Sequence, residues 1–257
     1  MFGLFSGKNE FKHEDLEKAK AAIIEEFSQR PPTIGVIGVS GTGKSSTINA
    51  FFGTDLAISH VVACTKDFWN VDLGSTLVQG PAQGKKVTLR VVDAPGLGED
   101  VSLDPGYLEM YLRHLPGCDV ILWISTARNR AIALDQQYLA KLAQFHDRMV
   151  FGINQIDLVE PMDWQRINCP SDEQERNVNL IVEDRQRKLE SITGKEINVV
   201  PYCAARKYNL QELFTAAVKA CDPKRAWLFS AIKSFSPTDF IPVEVRQRVV
   251  NLVDKNR

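Results

Sequence analysis

Eight consecutive residues, Gly38-Val39-Ser40-Gly41-Thr42-Gly43-Lys44-Ser45, restrict this chain more than any other stretch, because they fit the pattern G-x-x-x-x-G-K-[ST] at every constrained position. The flanks agree with the pattern. Thr33-Ile34-Gly35-Val36-Ile37 reads as a short buried strand, and Ser46 to Phe52 reads as the body of a helix. A strand, a glycine turn and a helix start direct backbone N–H groups and the positive end of the helix dipole at one point, and Lys44 adds a mobile cation. Such a loop binds a polyphosphate. Gly38, Ser40, Gly41, Thr42, Gly43, Lys44, Ser45 and Ser46 are therefore the candidate phosphate-binding residues.

The rest of the chain alternates strand and helix signals. Lys66 to Leu73 and Ser75 to Val78 read as an outer strand bent at Gly74, and Val87 to Val92 as a strand ending at Asp93-Ala94-Pro95-Gly96. Helices are expected over Pro105 to His114, Ala133 to Phe145, Asp172 to Ser191 and Leu210 to Ala220. Strands are expected over Val120 to Ser125, Met149 to Ile153 and Ile197 to Pro201. This order predicts a mostly parallel sheet covered by helices on both faces, with ligands at the carboxyl ends of the strands. Helical spacing before Arg30-Pro31-Pro32, at Leu16, Ala19, Ile23 and Phe27, predicts an amphipathic leader helix from about Glu10 to Gln29 beside the first strand. Segments Arg225 to Phe235 and Val243 to Val253 also read as helices. The expected division is an N-terminal extension over 1–31, the main domain over 32–222 and a C-terminal extension over 223–257.

Composition narrows the partners. A formal net charge of -1 leaves no overall field for nucleic acid or an anionic membrane. The longest strongly apolar run, Val120 to Ile124, is too short for a transmembrane segment, and no signal peptide is read at the start, so a cytoplasmic protein is expected. Cys64, Cys118, Cys169, Cys203 and Cys221 lack the paired spacing of a zinc site or a disulfide scaffold.

The second half of a phosphate site is equally visible. The Ser45 hydroxyl follows the loop lysine, where it is placed to ligate Mg²⁺ bridging two phosphates. Asp93 can hold the same ion directly or through water. Gly96 would offer its N–H to the terminal phosphate, and Leu97 to Asp104 would relax when that phosphate leaves. Thr65, between the first domain helix and the outer strand, is placed to close over the metal. Lys44, Thr65 and Gly96 are thus the catalytic candidates; Ser45, Thr65 and Asp93 are the metal candidates.

Taken in order, Gly38–Ser45, Thr65, Asp93–Gly96, Asn154–Asp157 and Cys203–Ala205 resemble the five guanine-nucleotide motifs of the translation-factor-related class of P-loop GTPases. The Era-like branch is nearest, in particular its bacterial YfjP-like and HSR1-related members, which are similar to the immunity-related GTPases. The resemblance covers about Pro32 to Cys221. It implies a three-layer α/β P-loop GTPase domain with one antiparallel edge strand and short helical extensions at both termini. It implies that Asn154 and Asp157 recognise guanine and that Ala204, within Cys203-Ala204-Ala205, presents its N–H to the guanine oxygen. A carboxylate suits the paired N–H donors of that base edge.

The chain departs from the family at two places. Gln155 stands where lysine is usual; its stem can cover the base but carries no charge. Leu97 stands where Ras-type enzymes carry a water-positioning glutamine; an apolar residue there is usual in the Era-like branch and implies slow hydrolysis of GTP to GDP with help from another residue, a dimer partner or an activator. Gly41 occupies the loop position at which some relatives hold potassium through asparagine, so no strong potassium requirement is expected. Arg128 and Arg130 follow the central strand and resemble a basic stretch of the YfjP-like group; they are either solvated loop arginines or groups that reach phosphate or a partner in a face-to-face dimer. The implied partners are GTP and GDP, a nucleotide-dependent homodimer, and a protein, ribosomal or membrane-surface partner for the terminal helices. Two other classes stay open: an ATP-dependent phosphotransferase or ATPase, and a nucleotide-binding assembly module with negligible turnover.

Overall fold

The computed structural model describes residues 13–53, 69–76, 83–98, 100, 102–129, 132–165 and 168–231. Thr65, Cys64, Arg130, the apolar tip at 1–5 and the helix expected over 243–253 lie outside the described residues. In chain order the elements are α1 (His13–Gln29), β1 (Thr33–Ile37), α2 (Lys44–Phe52), β2 (Trp69–Thr76), β3 (Lys86–Asp93), α3 (Asp104–His114) and β4 (Val120–Thr126). They continue with α4 (Ala133–Lys141), β5 (Met149–Asn154), β6 (Trp164–Gln165), β7 (Cys169–Pro170), α5 (Asp172–Thr193), β8 (Val199–Pro201), α6 (Leu210–Ala220) and α7 (Pro223–Ala231).

A six-stranded sheet has the order β2-β3-β1-β4-β5-β8. Every pairing in it is parallel except β2 with β3 at the edge. Alternation along the strands splits the apolar side chains between two cores, since successive side chains point to opposite faces. In β4, Val120, Leu122 and Ile124 join one core and Ile121 and Trp123 the other. The first core receives Phe27 of α1, Ile48 and Phe51 of α2, Leu210 and Leu213 of α6, and Leu228 and Phe229 of α7. The second receives Tyr111 of α3, Tyr138 and Leu139 of α4, and Val178 and Leu189 of α5. The three layers and the antiparallel edge strand expected from the sequence are present.

Several boundaries differ from the sequence reading. Gly74 does not bend the outer strand: it pairs with Thr88 inside one continuous ladder, where the edge position leaves open space around its Cα. The α-helix expected to reach Phe145 ends at Lys141 and tightens into a 3-10 turn over Ala143–Arg148, which buries Phe145 and sets a ring nitrogen of His146 2.9 Å from the Leu139 carbonyl. The short antiparallel pair β6-β7, unforeseen in the sequence, rises between Asp157 and α5.

A buried ion cluster joins the two ends of the described chain to the sheet. The Asp119 side chain is 1% exposed and accepts from the Thr33 N–H (2.8 Å), Arg225 Nε (2.6 Å) and Arg30 Nη2 (3.1 Å). Arg225 also donates to Glu26 and to the Arg30 carbonyl. One carboxylate thus ties α1 and α7 to the start of β1. Removing one member of such a buried group leaves uncompensated charge, so Asp119→Ala is expected to lower stability by about 3–5 kcal/mol. Urea unfolding of the variant checks it; a loss under about 1 kcal/mol would place the cluster with ordinary surface pairs.

Candidate nucleotide-binding site

The parallel strands β1, β3, β4, β5 and β8 end at one edge, and the loops leaving that edge carry the motifs. The phosphate loop runs from β1 into α2. Its Gly43 has φ 87°, and a Cβ there would lie 2.4 Å from Nδ2 of Asn154. Glycine is required twice over, by the left-handed backbone and by the amide packed against it. Lys44 is buried, and its Nζ donates to the carbonyls of Gly38 (3.3 Å) and Val39 (3.2 Å), so the ammonium is held at the mouth of the loop. Thr42 closes the loop by donating from Oγ1 to the Val39 carbonyl at 2.9 Å. Ser46 lies half-buried in the first turn of α2.

Ser45 and Asp93, singled out separately in the sequence, meet. Ser45 Oγ donates to Asp93 Oδ2 at 2.9 Å, and Asp93 is 3% exposed at the end of β3. A hydroxyl and a carboxylate on adjacent elements are hard oxygen donors of the kind Mg²⁺ takes, and that ion keeps several waters and substrate oxygens besides. The described residues contain no cluster of three or more His, Cys, Asp or Glu side chains suited to a metal.

The segment after Asp93 is pressed against the phosphate loop. Ser40 N–H donates to the Leu97 carbonyl (2.8 Å) and Leu97 N–H to the Gly38 carbonyl (3.3 Å), making an isolated parallel bridge between Val39 and Leu97. The Ser40 N–H is therefore engaged by the chain itself. The Leu97 side chain is fully buried in the second core. Tyr111 fastens the segment by donating to the Pro95 carbonyl at 2.5 Å; farther along, Asp104 accepts from the Gly98 N–H (2.9 Å) and from Tyr138. The stretch from Leu97 to Asp104 is thus anchored at both ends.

Around the expected base position, Asn154 acts as a clamp. It is 2% exposed; Nδ2 donates to the Thr42 carbonyl (3.0 Å) and Oδ1 accepts from the Ala204 N–H (3.0 Å). One amide thereby joins the phosphate loop, the end of β5 and the loop after β8. Gln155, at φ 63°, accepts from Thr126 Oγ1 (2.8 Å) and donates from Nε2 to the Gly41 carbonyl at 3.4 Å. Its uncharged amide spans the loops at the ends of β4, β5 and β1. Asp157 is reached by two groups that the sequence reading did not connect to it: Cys203 Sγ donates to Oδ1 at 3.1 Å, and Arg206 Nε lies 3.5 Å from Oδ2. Burial, and then the adjacent Asp157 carboxylate, push the Cys203 thiol up to about 12, so it remains a neutral donor. The sequence signal for Arg206 was its place directly after Cys203-Ala204-Ala205.

Comparison with known proteins bears on the fold and its relatives. Residues 33–155 match the family described as 50S ribosome-binding GTPase. The chain is 32% identical over 161 residues to the YfjP protein of Escherichia coli, covering 61% of this chain and 52% of that protein. The chain spans about half the length of the curated relatives it matches, with 52% and 46% covered in two of them. Among solved structures, Aquifex aeolicus Era bound to GDP and aluminium fluoride superposes with a TM-score of 0.53 at 23% identity, over 74% of this chain and 56% of that one. The chloroplast translocon components atToc33 and psToc159, whose dimerisation is described as important for their GTPase activity, give a TM-score of 0.56 at 18% identity, over 80% of this chain and 92% of that one. At these identities the structural likenesses speak for the fold. Among the described residues, no helix is long and apolar enough to cross a membrane.

Proposed function

From the premise that residues 33–155 carry the P-loop GTPase domain of Era-like proteins with YfjP-like relatives, we propose that this chain binds GTP and GDP with Mg²⁺ and hydrolyses GTP slowly as a conformational switch. The observation that carries this reading is the convergence of Lys44, Ser45-Asp93, Gly96, Asn154 and Asp157 at one edge of the sheet. In this reading Lys44 leaves the loop carbonyls for the β- and γ-phosphates, and Ser45 and Asp93 hold Mg²⁺. The ion, when bound, neutralises phosphate charge as the bond to the leaving group lengthens. Gly96 N–H contacts the γ-phosphate, and loss of that phosphate releases the stretch between Gly98 and Asp104. Asp157 accepts from N1–H and the 2-amino group of guanine, Ala204 shares its N–H between Asn154 Oδ1 and the guanine oxygen, and the Gln155 stem lies over the base beside Cys203.

Slow turnover follows from Leu97, whose buried side chain cannot hold water. Stimulation by a second copy is the reading we favour. The Toc structures link dimerisation to activity in those proteins, and here Arg128 is exposed on the loop after β4. That loop is braced from beneath by Arg185, whose Nη2 donates to the Asn129 carbonyl at 2.6 Å. A ribosomal partner is suggested by the description of the matching family, and a cytoplasmic setting suits cysteines that are unpaired among the described residues. The decisive experiment is equilibrium competition of GTP and ATP for the purified chain with Mg²⁺, followed by single-turnover phosphate release across a wide dilution range. Expected are preference for GTP and a rate per molecule that rises with concentration. Preference for ATP would favour a phosphotransferase or ATPase, and no phosphate release over hours an assembly module.

A further inference from the structure

Arg206 is attached to the fold more elaborately than a loop arginine needs to be. Its N–H donates to Cys203 Sγ (3.4 Å) and its carbonyl accepts from Asn168 Nδ2 (3.0 Å). Its guanidinium carbon sits 4.9 Å from the ring centroid of Trp164. Trp164 is itself fixed: Nε1 donates to Asn168 Oδ1 at 3.2 Å, and the ring meets Tyr208 edge-on with centroids 5.3 Å apart. The β6-β7 hairpin, which no motif covers, thus forms an aromatic shelf for one cation. From that shelf Arg206 Nε reaches Asp157 Oδ2, and Cys203 Sγ takes the other oxygen.

We propose that Arg206, seated on the Trp164 hairpin, is a positioning residue for guanine recognition, holding the Asp157 carboxylate in the plane that meets the base edge. The inference rests on the reading of Asp157 as the group that accepts from guanine. A carboxylate offers about four lone-pair directions. The Cys203 hydrogen bond takes one on Oδ1 and the Arg206 guanidinium lies beside Oδ2 as an ion pair, which leaves a direction on each oxygen for the paired donors N1–H and 2-NH₂. The carboxylate is 14% exposed and the arginine 45%, so the cation acts from the rim while the acid lies in the recess. Guanidinium suits this seat better than ammonium, because its plane stacks on the indole while Nε stays free to point along the edge.

The test compares affinities for GDP and for inosine diphosphate, which keeps N1–H and lacks the 2-amino group. Arg206→Ala is expected to weaken GDP on the order of tenfold and inosine diphosphate on the order of twofold, so that the ratio between them contracts. Arg206→Lys is expected to recover part of the ratio. Equal weakening of both nucleotides, or an unmoved ratio, overturns the proposal, as does a lysine variant indistinguishable from alanine. In an Asp157→Asn background, Arg206→Ala is expected to leave xanthosine diphosphate affinity unchanged; a fall matching that for GDP would mark a structural role and overturn it. If Asp157→Asn alone leaves the preference for GDP over xanthosine diphosphate intact, the reading of Asp157 falls, and this inference with it. A shifted preference with an unmoved Arg206→Ala ratio sinks only the role of Arg206.

Discussion

Asp157→Asn is expected to reverse the base preference of this protein, turning a GDP binder into one that prefers xanthosine diphosphate by on the order of a hundredfold. The native carboxylate is acceptor-only, and guanine presents two donors to it. Each hydrogen bond to a charged group contributes about 1.5–3 kcal/mol, so mismatching both is worth at least about 3 kcal/mol. An asparagine amide offers one acceptor and one donor face, and xanthine carries a carbonyl where guanine carries its amine. The substitution preserves shape, and the Cys203 thiol can still donate to the amide oxygen that replaces Oδ1. Its effect therefore appears in selectivity more than in folding. Isothermal titration of both nucleotides against both proteins checks it, and an unaltered order of affinities would remove Asp157 from base recognition.

The sequence reading reached far because the fold's main instructions are local. Gly38 to Ser45 declares a strand, a turn and a helix start within eight residues, and the alternating apolar runs after it admit few topologies. Ser45 and Asp93 were chosen for separate chemical reasons and stand 2.9 Å apart. What stayed hidden was coupling between residues distant in the chain. Nothing near Asp119 announces that Arg225, 106 residues later, will neutralise it, because a buried ion cluster has no periodicity. The β6-β7 hairpin is two residues on each side, too short for alternation to register. Asn154 illustrates the mixed case. Its motif marks it for the base, and packing adds what the motif does not say: its amide ties the phosphate loop at Thr42 to the loop after β8 at Ala204. A motif names which residues matter; only packing says whether each touches the ligand or another loop.

Gly96→Ala is expected to lower single-turnover GTP hydrolysis by about a hundredfold or more: the backbone N–H is retained, but the added methyl displaces the phosphate loop and Lys44, and misplacing one contact to developing charge has an effect of that order. A Cβ at Gly96 would lie 2.6 Å from Ser40 Cα, 2.8 Å from Ser40 Cβ and 3.0 Å from Lys44 Nζ. The first contact is backbone, so no side-chain rotation relieves it. The segment bearing the new methyl cannot retreat either, because Ala94 and Leu97 are fully buried and Tyr111 holds the Pro95 carbonyl. The phosphate loop must therefore yield at Ser40, breaking its bond to the Leu97 carbonyl and shifting Lys44 with it. Overpacking of this kind costs about 1–3 kcal/mol of stability, which the fold can absorb. GDP affinity should fall less than turnover, since GDP retains only the β-phosphate share of the Lys44 contact and makes none at the γ-phosphate position. Phosphate release from a preformed GTP complex, measured beside GDP affinity, separates these effects. A variant that hydrolyses GTP at the native rate would show that the close approach of the two loops serves packing alone.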